Sequence, residues 1–498
     1  MFTQVTNRST ARALRLATIA GSALAASAAL AGPTITVTPI VVEGDIYNGF
    51  PISSGFSASE NHAVNDLGQW VVESDTTNPD TNTDGLVVTG TGAMGPRSVL
   101  LTEGQSLMFP AGSMLDSFDA ITINNLGNSS YNFFLDGTTG TSDDSGVYFN
   151  DTLLIQEGTV SNAAGFSAGT PYIGWFETLI NDQNQIMMMA SVDDPAIAST
   201  TDRAIVIIDN PTGAFTETVI AKEGDELVPG RFVADFSTSN RHVMAFRNNS
   251  RILFHADLDG DTLTDGAIFH YDGSTLHLVA QEGSPSAVAG RNWGTLLGAP
   301  IDINNSGDWV MRGDLDGGTA DDSVIVKNGT QVIAREGDPV PAAVGAFTFT
   351  NFGTGGVAIA DNGDVIYFAT WSDPDTSRNQ GIFVNDELVV QKGVTVIEGA
   401  VLSTMSAVSD NISASGNGRY IIFEGTLTDT RDGAFLIDRG EAPCPADFDN
   451  NGTVAVPDIF AFLAAWFAQD SSADFNGDTA VTVPDIFAFL SAWFAGCP

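Results

Sequence analysis

The chain has 498 residues, of which 61 are acidic and 19 are basic, so its formal net charge is −42. This length predicts more than one domain. The acidic balance argues against a nucleic-acid partner, because such partners bind basic surfaces. With 43% hydrophobic and only 16% charged residues, the composition is typical of a folded protein and not of a disordered acidic tail.

Residues 1–31 have the pattern of a secretory signal peptide. Three arginines precede an alanine-rich apolar run, which ends in an A-x-A cleavage pattern at Ala31. The alternative is a transmembrane anchor, but the run is short for a bilayer span. We therefore predict a secreted or cell-surface protein that does not span the membrane.

Residues 32–440 contain a repeating pattern. Seven times, a short β-branched run ends in a Glu-Gly or Lys-Gly turn. The turn glycines are Gly44, Gly104, Gly158, Gly224, Gly283, Gly337 and Gly393. They are 54 to 66 residues apart, and such regular spacing is typical of a repeat architecture.

Each repeat has the same internal order. An Asn/Asp/Gly turn precedes an apolar strand, an acidic loop follows, and a second strand leads through an Asn-Gly or Asp-Gly turn into the next Glu-Gly. About four strands per repeat predict a mainly β chain with a seven-bladed β-propeller-like domain. The last repeat lacks its fourth strand, whereas residues 35–42 form a fourth strand without a blade. Pairing the two would close the ring and remove its edges. A sandwich or a stack of small β-domains is the alternative.

The acidic loops recur at one point of each repeat and predict a ring of carboxylates on one rim. In the loop over 257–265, Asp257, Asp259, Asp261 and Asp265 could supply hard oxygen ligands to a divalent cation. The alternative is a solvated face on which carboxylates cap turns.

The sequence contains no recognisable catalytic motif. A His-Glu-x-x-His set, a Gly-x-Ser-x-Gly elbow and a phosphate loop are all absent from it. No pair stands out among the 61 carboxylates as a glycosidase pair. Trp175, Trp293, Trp309 and Trp371 are predicted in the blade cores, with a sugar site as the alternative. No catalytic residue is therefore predicted.

Residues 441–498 contain a duplicated loop and helix, with an offset of 27 residues. In the first loop Asp447, Asp449, Asn451 and Asp458 occupy positions 1, 3, 5 and 12, and Thr453 offers its carbonyl at position 7. This is the spacing of an EF-hand-like calcium loop. The alternative is an acidic turn before a helix.

The second loop repeats this arrangement with one change. Its ligands are Asp474, Asn476, Asp478, Asp485 and the carbonyl of Ala480. Position 6 is Thr479, where the first loop has Gly452. Because a β-branched residue disfavours positive φ, the second site is predicted to be weaker or distorted.

Each loop leads into a short helix, predicted over 458–468 and 485–495. Ile459, Phe462, Leu463 and Trp466 recur at helical spacing and predict a core face. A second side carries four phenylalanines, namely Phe460, Phe467, Phe487 and Phe494. A helix pair this small cannot bury them all, so they predict a partner-binding patch. The alternative is that the patch packs on the propeller.

Cys444 and Cys497 are the two cysteines of the chain, in matching Cys-Pro pairs that bracket the duplicated unit. In an exported chain, such an even pair predicts a disulfide. Two free thiols are the alternative.

The duplicated loops and helices over 441–498 resemble a dockerin. The resemblance implies that each repeat binds one calcium ion, through the ligands given above. It also implies that one helix face docks on a cohesin or a similar cell-surface protein, and that near-identical repeats allow two inverted docking poses. The paired Cys-Pro form is similar to terminal anchoring modules of exported bacterial proteins.

Three functions fit the sequence. The first is an exported, non-enzymatic binding or scaffold protein, a propeller displayed through a calcium-dependent dockerin-like module. The second, which is the main alternative, is a polysaccharide-degrading hydrolase or lyase carried on the same module. The third is a propeller that binds a glycan or a protein.

Overall fold

The computed structural model describes residues 35–54, 61–197, 201–236, 241–408, 412–440, 444–449, 454–476, 478 and 480–496. The predicted signal peptide over 1–31 lies outside these residues. Within the described residues, no helix is long and apolar enough to cross a bilayer.

Strands dominate up to residue 438, and two helices follow. The first fifteen strands are β1 (Thr36–Val42), β2 (Ile46–Tyr47), β3 (Phe50–Pro51), β4 (His62–Val64), β5 (Gln69–Asp75), β6 (Gly85–Thr91), β7 (Ser98–Thr102), β8 (Met114–Ile123), β9 (Ser129–Asp136), β10 (Ser145–Phe149), β11 (Thr152–Gln156), β12 (Tyr172–Ile180), β13 (Ile186–Val192), β14 (Asp202–Asp209) and β15 (Thr216–Lys222). The next ten are β16 (Glu226–Val228), β17 (Arg231–Asp235), β18 (Met244–Arg247), β19 (Arg251–Leu258), β20 (Gly266–Asp272), β21 (Leu276–Gln281), β22 (Ile301–Ile303), β23 (Trp309–Asp314), β24 (Ser323–Lys327) and β25 (Gln331–Arg335). The last ten are β26 (Phe349–Asn351), β27 (Val357–Ile359), β28 (Val365–Trp371), β29 (Gln380–Val384), β30 (Glu387–Gln391), β31 (Val396–Ile397), β32 (Ala400–Met405), β33 (Ile412–Ala414), β34 (Tyr420–Leu427) and β35 (Asp432–Asp438). The helices are α1 (Val456–Ala468) and α2 (Val483–Ala495), with short 3-10 turns at Arg241–Val243 and Ser471–Ala473.

The strands form seven antiparallel blades, as the repeat predicts. From the centre outward they are β4-β5-β6-β7, β8-β9-β10-β11, β12-β13-β14-β15, β18-β19-β20-β21, β22-β23-β24-β25, β27-β28-β29-β30 and β33-β34-β35-β1. The innermost strands contact their neighbours around a complete ring, since β33 of the last blade contacts β4 of the first. This seven-bladed propeller excludes the sandwich and the stack of separate β-domains.

The seven predicted glycine turns connect one blade to the next. All seven glycines have φ between 72° and 89°, a conformation that residues with a Cβ rarely adopt. In each turn the amide of the preceding Glu or Lys donates to its own blade, over 2.7–3.0 Å. The glycine amide donates to a carbonyl of the next blade, over 2.7–3.1 Å. Each turn therefore fixes the position of two consecutive blades.

The first strand of the chain closes the ring, as predicted. β1 pairs antiparallel with β35, with Thr36 opposite Asp438 and Val42 opposite Gly433. Its register shifts between Pro39 and Val41, where the outermost strand of each of the other six blades also has an irregularity. β1 thus takes the place of the missing fourth strand.

The hydrophobic core of the propeller lies between blades. Seven buried clusters each join residues of two adjacent blades, such as Val71 of the first blade with Phe133 of the second. Every residue of β13 is buried. A strand buried on both faces needs a continuous apolar run, which explains the apolar stretches of the repeat.

The two C-terminal helices form a small core of their own. Phe462 and Phe489 are fully buried and stack with their ring centroids 4.2 Å apart. Both helices begin two residues earlier than predicted, at Val456 and Val483. Pro457 and Pro484 do not prevent this earlier start. In the first helical turn a backbone N–H has no partner within the helix, so its absence in proline costs nothing there.

Candidate functional site

One end of the propeller channel is ringed by seven Asn- and Asp-rich turns, each following an innermost strand. In each turn, one backbone N–H donates to the next turn around the ring. The acceptor is a side-chain oxygen in six of these links and a backbone carbonyl in one. The links run Asp66 to Asn125, Asn125 to Asp182, Asp182 to Asn248, Asn248 to Asn305, Asn305 to Asp361, Asp361 to Gly416 and Asn417 back to Asp66, over 2.6–3.0 Å. The sequence pattern located these turns but not their contacts with one another.

Three of the ring residues are aspartates that act on one another electrostatically. The pKa of Asp66 is raised by its burial and by the charges of Asp361 and Asp182, although hydrogen bonds from Asn417 and Asn125 oppose the increase. Asp182 accepts hydrogen bonds from the side-chain amides of Asn125 and Asn248, over 3.1 and 3.0 Å. These amides balance part of the negative charge at this end of the channel.

Inside the channel, the innermost strands line a cavity of about 200 Å³, which we call the channel chamber. Its wall includes Glu177, Arg247 and Asp302, together with His62 and His242. A second cavity of about 100 Å³ lies at the Asn/Asp ring and shares Arg247 with the chamber. Polar groups of four different blades thus meet at the axis of the propeller.

Arg247 and Asp302 form an ion pair in the chamber wall. Arg247 Nη2 donates to Asp302 Oδ1 over 2.8 Å, and the amide of Ile359 donates to Asp302 Oδ2 over 2.9 Å. Burial raises the pKa of Asp302, and the positive charge of Arg247 opposes that increase. The ion pair therefore holds a carboxylate in place within a wall of mixed polar and apolar residues.

The two histidines come from different sides of the chamber. His62 Nδ1 lies 2.7 Å from the hydroxyl of Ser413, which itself donates to the carbonyl of His62 over 2.8 Å. The ring of His242 packs against Gly356, where a Cβ would lie 2.7 Å from Cε1 of the imidazole. A side chain at 356 would therefore displace the His242 ring from its present position.

The sequence did not predict the chamber residues, and it placed four tryptophans in the blade cores. The structure buries Trp175, Trp293, Trp309 and Trp371, and none of them lines the chamber. This excludes the sugar site built on those tryptophans. The polysaccharide-degrading alternative stays a prediction.

The candidate metal centre of the chain lies in the first C-terminal loop. Oxygens of Asp447, Asp449 and Asp458 lie within 4.8 Å of one another. Asp458 is fully buried in the first turn of α1 and accepts hydrogen bonds from the amides of Asp449 at 3.0 Å and Ala455 at 2.8 Å. Burial would raise its pKa, but these backbone donors outweigh burial and hold the pKa below its usual value. The charged, ligand-competent form is therefore favoured.

The second loop has the same framework with a different use of its oxygens. Asp485 is fully buried and accepts from the amides of Asn476 at 3.1 Å and Thr482 at 2.7 Å. Asn476 and Asp478 accept from amides two residues ahead of them, over 2.9 Å each. Among the described residues, the aspartates of this loop form no group as close as that of the first loop. Asn451, Thr453 and Thr479 lie outside the described residues, so a weaker second site stays a prediction, as does the role of the Thr453 and Ala480 carbonyls.

The predicted rim site at 257–265 does not gather its carboxylates. Asp259 accepts from the amide of Phe232 at 2.9 Å, and Asp261 from that of Leu263 at 3.1 Å. Burial and the charge of Asp265 raise the pKa of Asp257. In the part of the chain that the structure describes, these four aspartates form no group of three within 4.8 Å. The geometry favours the turn-capping alternative, and a cation here stays a prediction.

The predicted partner-binding phenylalanines are exposed. Phe460 and Phe487 are 67% and 68% exposed, and Phe467 and Phe494 are 75% and 78% exposed. The two helices present these phenylalanines in the same way, because the tryptophan of each helix makes the same kind of hydrogen bond to the other repeat. Trp466 Nε1 donates to the carbonyl of Thr482 at 2.8 Å, and Trp493 Nε1 donates to that of Ala455 at 3.0 Å. Cys497 lies outside the described residues, so its bond to Cys444 stays a prediction.

A family model agrees with the extent of the propeller. The model described as Family of unknown function (DUF7453) matches residues 16–253 and, a second time, residues 218–435. The chain belongs to this family. The two DUF7453 matches end before the duplicated loops and helices of residues 441–498. No curated protein matches the sequence.

Several solved structures resemble the chain distantly. A protein of unknown function from Dyadobacter fermentans is 11% identical, with 81% of this chain and 99% of that chain covered and a TM-score of 0.32. TolB from Acinetobacter baumannii is 12% identical, with 78% and 65% covered and a TM-score of 0.31. A mutant of the Aleuria aurantia lectin, in complex with Fucα1-6GlcNAc, is 10% identical, with 67% and 97% covered and a TM-score of 0.29. Likenesses this distant say nothing about what this DUF7453 member binds.

Proposed function

We propose that this chain is an exported, non-enzymatic binding or scaffold protein, whose C-terminal module attaches the propeller to a partner in a calcium-dependent manner. The observation that carries the proposal is the group of Asp447, Asp449 and Asp458, with oxygens within 4.8 Å of one another. Three carboxylates this close repel one another unless positive charge or hydrogen bonds compensate. Several carboxylate oxygens in one short loop are the ligand set that Ca²⁺ prefers.

The exposed phenylalanines support the attachment role. Large aromatic side chains exposed to this extent are costly in water and are typical of a surface that a partner covers. Because the last ligand of each predicted calcium loop, Asp458 or Asp485, lies in the first turn of its helix, an ion in the loop would fix that turn and with it the positions of Phe460 and Phe487. We propose a cohesin-like or other cell-surface protein as the partner, in line with the dockerin resemblance.

Export completes the proposal. The signal-peptide pattern at residues 1–31 would bring the chain into a compartment that is rich in calcium and favours disulfides. A bond between Cys444 and Cys497 would there join the two ends of the module.

Calcium titration of the purified mature chain tests the proposal. We expect isothermal calorimetry to detect calcium binding, and Asp449→Asn to weaken the tightest site by about tenfold or more, since it removes one charged ligand. Asp386→Asn is the matched control, because it changes an exposed aspartate between β29 and β30 that belongs to no predicted metal loop. Unchanged calcium binding in Asp449→Asn would overturn the proposed site.

The same preparation tests the partner. We expect immobilised cohesin domains to bind the chain in calcium and to release it in EGTA, and the double variant Phe460→Ser, Phe487→Ser to lose this binding. The control is Leu263→Ser, which removes an exposed leucine of the propeller, 74% exposed. If calcium binds but no cohesin does, the cohesin assignment is wrong and another surface protein must be sought.

A further inference from the structure

The channel chamber combines charges of both signs in a small space. Glu177 and Asp302 supply two carboxylates, and both residues are more than nine-tenths buried, with exposures of 4% and 7%. Arg247 supplies a guanidinium, and His62 and His242 supply two imidazoles. Glu177, Asp302 and His62 are buried, and Arg247 and His242 are half-buried. Because it costs free energy to take charged and polar groups out of water, a protein that keeps these five around one cavity has a use for them there.

Part of the wall is open to solvent. The side chains of Thr122, Ala358 and Ser413 are half-buried and line the same chamber. Arg247 lies where the chamber meets the smaller cavity of the Asn/Asp ring, and its guanidinium has more N–H groups than the two acceptors it uses, Asp302 Oδ1 and the carbonyl of Phe246. A ligand that enters the channel therefore finds a hydrogen-bond donor at this junction.

The mixture of charges decides the chemistry of the ligand. A cation would lie beside Arg247, and an anion would lie beside Glu177 and Asp302, so a net charge of either sign meets repulsion. A neutral ligand with several hydroxyls avoids this, because each hydroxyl can both donate to a carboxylate and accept from a guanidinium or imidazole. The volume of about 200 Å³ is below the ~300–1,000 Å³ of sites for drug-sized ligands, which limits the ligand to about one sugar ring.

We propose that the channel chamber is a binding site for a neutral polyhydroxylated ligand of monosaccharide size, held by Arg247, Asp302 and Glu177. The hydroxyls of Thr122 and Ser413 complete the polar wall, and Ala358 leaves the space that the ring occupies. The chamber lies wholly within residues 62–414, so this site does not depend on the C-terminal calcium loops.

Sugars with the same ring but different charge test the chemistry without any variant: D-glucosamine has an ammonium group in place of the C2 hydroxyl of D-glucose, and D-glucuronate has a carboxylate at C6. D-glucose, D-glucosamine and D-glucuronate have the same ring with neutral, positive and negative charge, and D-galactose, L-fucose and D-xylose extend the neutral set. Calorimetry and ligand-observed NMR with the purified mature chain, with EGTA present, would measure each affinity. We expect at least one neutral sugar to bind at a ratio of one, about tenfold or more tighter than both charged sugars.

Filling the chamber tests its location. Ala358→Leu adds three carbons to the wall, and we expect it to weaken binding of the neutral sugar by about tenfold or more. Ala111→Leu adds the same atoms at an exposed position between β7 and β8, outside the chamber, and should bind as the wild type does. Thr122→Val, which keeps the shape and removes one hydroxyl, is the second variant if Ala358→Leu does not fold. The proposal is overturned if no neutral sugar binds more tightly than about 10 mM, if a charged sugar binds best, or if the folded variants bind like the wild type.

Discussion

The propeller and the C-terminal module are both made of sequence repeats, but the two regions bury the hydrophobic faces of their repeats to different extents. Each of the seven blades packs on two neighbours, and the hydrophobic clusters lie between blades all around the ring. The module has only two copies, which share one small core around Phe462 and Phe489. Its other helix faces stay exposed at Phe460 and Phe487. A closed ring of repeats can cover every blade face, whereas a pair of repeats leaves apolar side chains exposed.

Among the changes proposed here, opening the ring should have the largest effect, because it exposes blade surface that the closed ring buries. A chain that begins at Glu43 lacks β1, and with it Ile40, Val41 and Val42, which are at most 5% exposed. At about 1.5–3 kcal/mol for each buried side chain, the loss is about 5 kcal/mol or more, and β35 becomes an open edge. We expect a lower Tm of the propeller and aggregation, measured by calorimetry and light scattering.

The control is a chain that begins at Ile35, which keeps β1 and removes only residues 1–34. If both shortened chains melt at the same temperature and stay monomeric, ring closure contributes little to the fold.

The same Phe→Ala change in the core should unfold the C-terminal module but only lower the stability of the propeller. Phe462 stacks on Phe489 at 4.2 Å in the module, and Phe423 stacks on Phe435 at 5.5 Å in the propeller. Either Phe→Ala change costs about 3–5 kcal/mol. We expect Phe462→Ala to unfold most of the module, because a unit of this size has a stability of only a few kcal/mol, at about 0.05–0.15 kcal/mol per residue.

Phe423→Ala should lower the Tm of the propeller without unfolding it at 25 °C, because the same loss is a smaller part of a much larger cooperative unit. Hydrogen exchange with mass spectrometry can follow both regions in one sample. Fast exchange throughout the propeller of Phe423→Ala would show that the blades are less cooperative than the ring implies.

A smaller effect is expected from the pH dependence of the propeller. The glutamates of four glycine turns are half-buried or buried near the acidic loops. Burial, and then neighbouring carboxylates, raise the pKa of Glu103, Glu157 and Glu223 to about 7 and that of Glu336 to about 6. The pKa values of these glutamates are higher in the folded chain than in the unfolded chain. Between the two values the unfolded chain ionises more readily, so these groups lower the free energy of unfolding. Their effect on stability is absent below about pH 4 and complete above about pH 7.

We therefore expect the Tm of the propeller to rise as the pH falls from 8 to 5. Glu103→Gln can still accept the hydrogen bond that Gly85 N donates over 2.9 Å, so it should raise the Tm at pH 8 and change it little at pH 5. Glu387→Gln, at an exposed position of β30, is the matched control. A Glu103→Gln variant that lowers the Tm equally at both pH values would show that the carboxylate stabilises this turn in its charged form.

Most of the propeller could be predicted from local pattern. The seven turn glycines identify the blades because a positive φ at each turn requires glycine, and the unpaired strand at residues 36–42 predicts the closure. The module was predicted to similar depth, since loop spacing and helical periodicity are local properties. The predicted helix starts, 458 and 485, were wrong by two residues, because Pro457 and Pro484 are tolerated within the first helical turn.

The channel chamber could not be predicted in the same way. Glu177, His242 and Asp302 lie in three different blades, and no spacing along the chain relates them. A single local signal was present, since Asp302 is a lone acid between Ile301 and Ile303 in a buried strand. Such a residue indicates a special environment but does not say which other residues share it.

The sequence by itself determined the number of blades, the turns that join them and the spacing of the oxygen-bearing side chains in each C-terminal loop. These features depend on the backbone conformation and side-chain spacing of neighbouring residues. Only the tertiary structure decided which polar side chains meet at the propeller axis. It also decided that, within the described part of the chain, the oxygens of Asp447, Asp449 and Asp458 lie close together whereas the aspartates of the second loop form no such group. Ring closure brings together the innermost strands of blades that are far apart in the chain, so the chemistry at the axis depends on the geometry of the whole ring.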